Sequence, residues 1–486
     1  MKEAIKALEA TARLLEPNAA ARAKTRAGII QYGEDFLENI EDGPAFVVTE
    51  NNGADLLLSP ISEEPLRLEN ILNILHENVD IPGLNPASGG HLGYIPGGGI
   101  YYSALGDYLA DITNRYAGIY FASPGAVRME NMLVRWMADM VGYPAGAGGN
   151  LASGGSIANL TAIVTAREAH NIKARDIEKT VIYLSSQAHH CIDKAIRIAG
   201  LQECVQRHIP LDTQFRIVPS AMEEMIAADK ASGLHPFMVI ASAGTTDVGA
   251  VDPLVEIGNI TQKHGLWYHI DAAYGGFFLL TEYGKERLHG IEMSDSVVMD
   301  PHKGLFLPYG LGVVLVKDVK ALKKAHNYQA NYMQDALAFD EEISPADVSP
   351  ELTKPFRGLR LWLPLKLHGL KPFRAALEEK LLLARYFHQE IQKIDGFIVG
   401  PEPELSVVTY RYIPKLGDAN DFNKKLVDAV QRDGRVFISS TLLNGHFTLR
   451  LAVLAFRTHL KTIDLLLEVL KEKVGEMETY NSDASF

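Results

Sequence analysis

Residues 296–304 (SVVMDPHKG) place a single lysine, Lys303, after a short β-branched run and an Asp-Pro-His turn. An ammonium desolvated by apolar neighbours loses part of its preference for charge. Its pKa falls, and the free amine becomes a nucleophile that can condense with an aldehyde. A lysine after a strand is also an ordinary surface residue, so its meaning depends on its company. Upstream, residues 267–273 (WYHIDAA) read as a strand followed by Tyr274-Gly275-Gly276. Side chains alternate along a strand, so Trp267, His269, Asp271 and Ala273 share one face. An Asp at the carboxyl end of an apolar strand lies on the ligand edge of an open α/β sheet. It can hold a ring nitrogen protonated, or merely cap the next turn.

Two further segments carry candidate chemistry. Residues 150–160 (NLASGGSIANL) put Gly-Gly-Ser at the start of a helical stretch from Ile157 to His170. Bare N–H groups at a helix N-terminus bind phosphate, and glycine lets the anion come close. Neither G-x-x-x-x-G-K-[ST] nor G-x-G-x-x-G occurs, so no nucleotide fingerprint is present. Residues 185–194 (SSQAHHCIDK) follow the run Val181–Leu184 and set His189 at a strand-to-helix corner. An imidazole there can stack on an aromatic ring, or can be a satisfied core or capping residue. A rival reading takes His189, His190, Cys191, His269, Asp271 and His302 as ligands for zinc or manganese. No H-E-x-x-H or C-x-x-C spacing supports it, so no metal residue is assigned.

The elements that must position these groups alternate. Apolar β-rich runs at Val181–Leu184, Phe237–Ala241, Trp267–Ala273, Ser296–Met299 and Val313–Val316 are separated by helical stretches. That order predicts a mainly parallel sheet between helices. Residues before 80 read mainly as helices. Pro82 to Gly99 is a Gly/Pro-rich loop, long enough to be functional. Val127, Leu133, Trp136, Met137, Met140 and Val141 recur at helical spacing and read as core. Arg357 to Leu370 reads as a helix leaving the sheet domain. A long helix, the runs Val407–Tyr412 and Phe447–Val453, and a closing helix Thr462–Val474 make a smaller α+β unit. Residues 335–354 are acidic and proline-containing and read as a mobile surface loop.

The chain has 486 residues, 47% of them hydrophobic, which permits a sizeable core. A net charge of −13 argues against nucleic acid as a partner. Two cysteines, Cys191 and Cys204, make no disulfide framework and fit a reducing compartment. The N-terminus lacks a secretory apolar core, and no apolar run is long enough to span a membrane. The expected setting is cytoplasmic.

In order, Ser123-Pro124-Gly125, Ser153-Gly154-Gly155-Ser156, Gln187-Ala188-His189, Gly244-Thr245-Thr246, His269-Ile270-Asp271-Ala272-Ala273 and Asp300-Pro301-His302-Lys303 resemble the group II pyridoxal-phosphate decarboxylases. These include aromatic-L-amino-acid, tyrosine, glutamate and histidine-type enzymes. The resembling segments run from about Pro86 to Arg450. The resemblance implies an α/β chain of the aspartate aminotransferase-like fold (fold type I). It implies an N-terminal helical dimerisation segment (1–85), a large cofactor-binding domain (86–370) and a small C-terminal α+β domain (371–486). The cofactor would be pyridoxal 5'-phosphate and the assembly a homodimer. Lys303 matches the Schiff-base lysine, Asp271 the partner of the pyridine nitrogen, and His189 the imidazole stacked on the ring. Gly155 and Ser156 match phosphate binders; Thr246, Ala273 and His302 match further cofactor contacts. Asp300 stands where relatives often carry Asn, which sets a carboxylate near the phosphate or the lysine. Tyr94-Ile95-Pro96 falls where the family lines its side-chain pocket. Arg450 aligns with an arginine near the substrate carboxylate, and a structural salt bridge is its other reading.

The implied reaction is decarboxylation of an L-amino acid, aromatic by resemblance, to the amine and carbon dioxide. Relatives carry a tyrosine in the mobile loop that delivers a proton to Cα; between Asp335 and Lys354 this chain has none. Tyr332 is the fallback donor. Oxidative deamination is therefore an alternative, and decarboxylation of glutamate or another acidic amino acid is a separate one that the family resemblance leaves open. A metal-dependent hydrolase is the reading the rival ligand set would give.

Overall fold

The computed structural model describes residues 1–327 and 342–483. Its centre is a seven-stranded sheet. In chain order the strands are β1 (Gly148–Ala152), β2 (Thr180–Leu184), β3 (Val205–His208), β4 (His235–Ser242), β5 (Trp267–Asp271), β6 (Ser296–Met299) and β7 (Gly312–Val316). They lie side by side as β1-β7-β6-β5-β4-β2-β3. All neighbours are parallel except β7, which runs antiparallel to both β1 and β6. The sheet is buried on both faces, so its strands are near-continuous apolar runs. Val181, Tyr183, Val239, Ala241, Tyr268 and Ile270 pack into one core. Their alternate neighbours Ile182, Leu184, Met238, Ile240 and Trp267 pack into the other.

Helices cover both faces. The helix α1 (Pro124–Val141) carries the foreseen stripe: Val127, Leu133, Met137 and Val141 are buried, and Trp136 and Met140 pack against the same core. The helix α2 (Gly155–Ala169) follows β1 directly, and α3 (Cys191–Ile198) follows β2 across the His189 corner. A one-turn helix, Pro301–Gly304, follows β6. A helix over Gly358–His368 and a long one over Lys371–Ile391 lead to a four-stranded antiparallel sheet. Its strands are Phe397–Val399, Val407–Tyr412, Ser439–Leu443 and His446–Ala452. The Gly/Pro-rich loop is tied to this sheet. Leu92 N–H donates to the Phe437 carbonyl at 2.8 Å, and the Leu92 side chain joins the C-terminal core.

The N-terminal segment is helical, as expected, over Lys2–Ala12, Ala19–Glu38 and Leu68–Leu75. None of these three helices buries a single residue. Leu14, Leu15, Leu57, Leu58 and Ile61 are exposed beside them.

Three expectations need correction, and one strand was not foreseen. The strand expected to reach Ala273 stops at Asp271, because the Asp271 carboxylate accepts the Ala273 N–H at 3.0 Å and turns the chain. Residues 148–152 form a strand that their glycines conceal. A Cβ at Gly149 would lie 2.2 Å from the Val314 carbonyl oxygen, so the close approach of β7 requires glycine there. The closing helix runs longer, from Leu460 to Asp483. Finally, the described part of the 335–354 loop is packed. Pro345, Val348, Ser349 and Lys354 are buried, Ala346 N–H donates to the Gly118 carbonyl at 2.9 Å, and Lys354 pairs with Glu130. Tyr332 lies outside the described residues.

Candidate active site

The expected site residues come from the carboxyl edge of the parallel strands, where open α/β sheets bind ligands. β1 delivers Gly154, Gly155 and Ser156 into the first turn of α2. β2 delivers His189, β5 delivers Asp271 and Ala273, and β6 delivers Asp300, His302 and Lys303. All of these, with Thr246, line one cavity of about 260 Å³.

At one end the backbone is tightly fitted. Gly154 takes φ +154°, a value that favours glycine. A Cβ on Gly155 would come within 2.8 Å of Asp300 Oδ2. The α2 N–H groups therefore open onto the cavity with no side chain between. Their positive end suits a phosphate.

Lys303 is largely buried within the site, and its Nζ lies 3.1 Å from Asp300 Oδ2. Burial alone would lower its pKa, which is the direction expected from the sequence. The carboxylates of Asp300 and Asp271 outweigh burial and hold the ammonium above its ordinary value. The expected fall is thus reversed, because the two acids arrive from other segments of the chain. Asp300 Oδ1 is buried and has no hydrogen-bond partner among the described residues.

Asp271 accepts from Ala273 N–H at 3.0 Å through Oδ1 and from Asn159 Nδ2 at 3.2 Å through Oδ2. His189 Nδ1 accepts the Cys191 N–H at 3.2 Å, which puts the proton of its neutral ring on Nε2. Burial lowers its pKa; Asp271 opposes this, while His190 and Lys303 add to it. His302 donates from Nδ1 to the Leu311 carbonyl at 2.6 Å, and burial keeps it neutral more strongly than Asp300 charges it. The cavity thus holds two neutral imidazoles, one ammonium and two carboxylates.

Tyr94 and Arg450, expected at the substrate, are not among the residues that line this cavity. Tyr94 is 59% exposed and stacks loosely against His91 and Phe437. Arg450 is buried; its Nε donates to the Thr246 and Asp247 carbonyls, at 2.7 and 3.2 Å, and its Nη1 to Ser439 Oγ at 3.0 Å, while Nη2 is buried with no partner among the described residues. It braces the Thr246 turn from behind. The Pro82–Gly99 loop does reach the site, through Gly97 rather than Tyr94. A Cβ at Gly97 would fall 2.0 Å from the His302 carbonyl oxygen.

Sequence reasoning missed Asn159 and Tyr274 as site residues and named Cys191 only as a rival metal ligand; all three line the cavity. Asn159 stands one helical turn after Gly155, on the same face of α2, and that spacing was a usable signal. Among the described residues no three His, Cys, Asp or Glu side chains are set to hold a metal ion. His269, a member of the rival ligand set, is instead held by Ser296 and Asn159.

The profile of the pyridoxal-dependent decarboxylase conserved domain matches residues 57–413. An aromatic-L-amino-acid decarboxylase of Bacillus atrophaeus is 33% identical over 448 residues, covering 90% of this chain and 91% of that one. A phenylacetaldehyde synthase of Arabidopsis thaliana is 27% identical, covering 92% and 94%. The crystal structure of Oryza sativa TDC with PLP and tryptamine superposes with a TM-score of 0.89 at 24% identity, covering 95% of this chain and 99% of that one.

Proposed function

The chain belongs to the pyridoxal-dependent decarboxylase family, and from that premise we propose that it removes the α-carboxylate of an aromatic L-amino acid, releasing the amine. It is a pyridoxal 5'-phosphate-dependent amino acid decarboxylase. One observation carries the assignment of residues. Lys303, Asp271 and the bare N-terminus of α2 converge on a single cavity, and these are the three functions an aldehyde-bearing pyridine phosphate requires. When bound, the cofactor acts as an electron sink for the pair left at Cα.

The side chains divide the remaining work. Gly155 and Ser156 would hold the phosphate through backbone N–H groups, with Thr246, Ala273 and His302 as further contacts. Asp271 would keep a proton at the ring nitrogen. His189, neutral, would lie against the ring and shield it from water. Lys303 must shed a proton before its amine can react, and Asp300 Oδ2, 3.1 Å away, stabilises the charged form that has to be given up. These roles rest on residues 86–370, with the N-terminal helices and the 371–486 unit as flanks.

We propose further that the enzyme works as a homodimer in the cytoplasm. N-terminal helices that bury nothing of their own need a second surface. Among the described residues no helix is long and apolar enough to cross a membrane, and both cysteines are free and buried. A second reading, oxidative deamination, is favoured by the absence of tyrosine between Asp335 and Lys354. The similar phenylacetaldehyde synthase of Arabidopsis thaliana fits the same reading.

The test is product analysis on aromatic, acidic and basic amino acids, with oxygen uptake followed in parallel. Amine and carbon dioxide in equal amounts, from aromatic substrates only, is the expected result. Aldehyde, ammonia and oxygen uptake without amine would replace it with the second reading. Lys303→Ala should abolish turnover and the mass adduct fixed by borohydride. An adduct on another lysine with full activity would overturn the Lys303 assignment. Light scattering that shows a fully active monomer would overturn the dimer.

A further inference from the structure

Behind Asp271 lies a line of buried polar side chains that the roles above do not use. Trp267 Nε1 is 2.9 Å from Ser296 Oγ, and Ser296 Oγ is 2.8 Å from His269 Nδ1. His269 Nε2 is 2.8 Å from Asn159 Oδ1, and Asn159 Nδ2 is 3.2 Å from Asp271 Oδ2. Asn159, His269 and Ser296 are 0% exposed, so no water completes their bonding. Three elements supply the chain: β5 gives Trp267, His269 and Asp271 from one face, β6 gives Ser296, and α2 gives Asn159.

One set of directions, anchored at the Asp271 carboxylate, satisfies every group in the line. An indole N–H only donates, so Ser296 Oγ accepts from Trp267 and its own proton goes to His269 Nδ1. An amide oxygen only accepts, so His269 Nε2 carries the ring proton. Burial lowers the His269 pKa to about 4, which keeps the imidazole in this neutral form. The Asn159 amide then has its nitrogen toward Asp271. Reversing the amide would face its oxygen to the carboxylate and its nitrogen to a ring N–H, losing both bonds.

We propose that Trp267, Ser296, His269 and Asn159 form a one-way hydrogen-bond chain whose end holds the Asp271 carboxylate in place and in its ionised, proton-accepting form. Asn159 and His269 are positioning residues; they act through Asp271. Hydrogen bonds donated to a carboxylate favour its charged form. The proton shared between Asp271 and the cofactor ring is thereby biased toward the ring nitrogen. The amide link also has no titratable site, so a proton cannot leak from Asp271 back along the chain. The inference rests on the proposed role of Asp271.

The experiment uses the holoenzyme carrying cofactor labelled with ¹⁵N at the ring. Its readouts are the ring-nitrogen chemical shift and kcat measured separately from KM. Asn159→Leu and His269→Leu should move the shift toward the unprotonated value. They should lower kcat by ten- to a hundredfold, on the order seen for outer-shell partners elsewhere, with KM little changed. His269→Gln keeps a donor toward Asn159 and should restore most of both readouts. If Asn159→Leu does not fold, Ser296→Ala and the two His269 variants decide the matter alone. A wild-type shift in folded Asn159→Leu, or equal behaviour of His269→Gln and His269→Leu, would overturn the proposal. Asp271→Asn separates the two levels. If it leaves the shift unmoved, the role of Asp271 itself fails. If it moves the shift while the chain variants do not, only the chain fails.

Discussion

Gly97→Ala tests whether the Gly/Pro-rich loop sets the position of Lys303. The added Cβ would sit 2.0 Å from the His302 carbonyl oxygen and 3.3 Å from that of Lys303. Real Cβ contacts do not go below 3.0 Å, so one partner must yield by at least 1 Å. The His302 carbonyl cannot yield alone. It belongs to the single turn held by Lys303 N–H and Gly304 N–H on the Asp300 carbonyl, at 2.9 and 3.1 Å. If that turn moves, Lys303 moves with it, and a misplacement of about 1 Å costs roughly a hundredfold in rate. If the loop recoils instead, it strains the Arg457 Nη1 bond to the Gly98 carbonyl, 3.0 Å long. Overpacking of that kind costs about 1–3 kcal/mol. Gly97 has no left-handed φ, so the effect is steric. The assay is kcat at saturating substrate beside the urea midpoint. Gly475→Ala, where nothing lies within 4 Å of the new Cβ, is the control. The expected result is a kcat down about a hundredfold, or a clear loss of stability, and in either case a normal control. A Gly97→Ala enzyme with wild-type kcat and midpoint would refute the reasoning.

Two other outcomes are expected. His91 and His269 are each pushed down to about 4 by burial. A lowered folded-state pKa means that the unfolded chain binds the proton first. Each histidine therefore contributes stability above pH 6.5 that is lost as pH falls toward 4, by about 3 kcal/mol. Asp252, raised to about 6 by burial, opposes this by about 3 kcal/mol as pH falls from 6 toward 4. The three groups together should cost about 3 kcal/mol between pH 6.5 and 4. Urea midpoints at fixed protein concentration measure it. His91→Phe should flatten the slope, and an unchanged slope would discount His91. Separately, Lys354→Met strands Glu130, its partner in a fully buried pair, and should cost about 3–5 kcal/mol. Lys354→Met with Glu130→Gln should recover most of that loss, and a double variant no better than the single would refute the pairing argument.

Local patterns carried the parts of this fold that depend on neighbours in sequence. Runs such as Val181–Leu184 and Ser296–Met299 were legible because burial on both faces makes them continuous. Asp271 was read two ways, as a turn cap and as a ring-nitrogen partner. Its Oδ1 does cap the turn at Ala273 while the carboxylate faces the cavity, so the readings were never exclusive. What stayed hidden depends on distant segments. The strand at 148–152 is glycine-rich because the β7 backbone presses on it. The rise in the Lys303 pKa needs Asp271 and Asp300 assembled around one amine, where sequence shows only an apolar neighbourhood. The Asn159–His269 contact joins helix α2 to strand β5 across more than a hundred residues. Arg450 was read two ways, as a substrate contact and as a structural residue; its carbonyl partners at Thr246 and Asp247 are visible only in three dimensions.

The one antiparallel strand has a consequence for how the site comes into being. β7 is the last strand of the large sheet in chain order, yet it lies between β1 and β6. Its first residue, Gly312, fits against both Gly154 and Asp300; a Cβ there would lie 2.6 Å from each. The phosphate end and the lysine end of the cavity are thus spaced by a strand that is synthesised after both. Until it inserts, β1 has no neighbouring strand, and α2 is tied toward Lys303 only through contacts such as Asn159 with His269 and Asp271; completing the sheet means joining segments far apart along the chain. Cofactor capture therefore belongs to the end of folding. A growing chain is expected to reach full cofactor affinity once residues 312–316 have left the ribosome, and cofactor absorbance followed against chain length would test it.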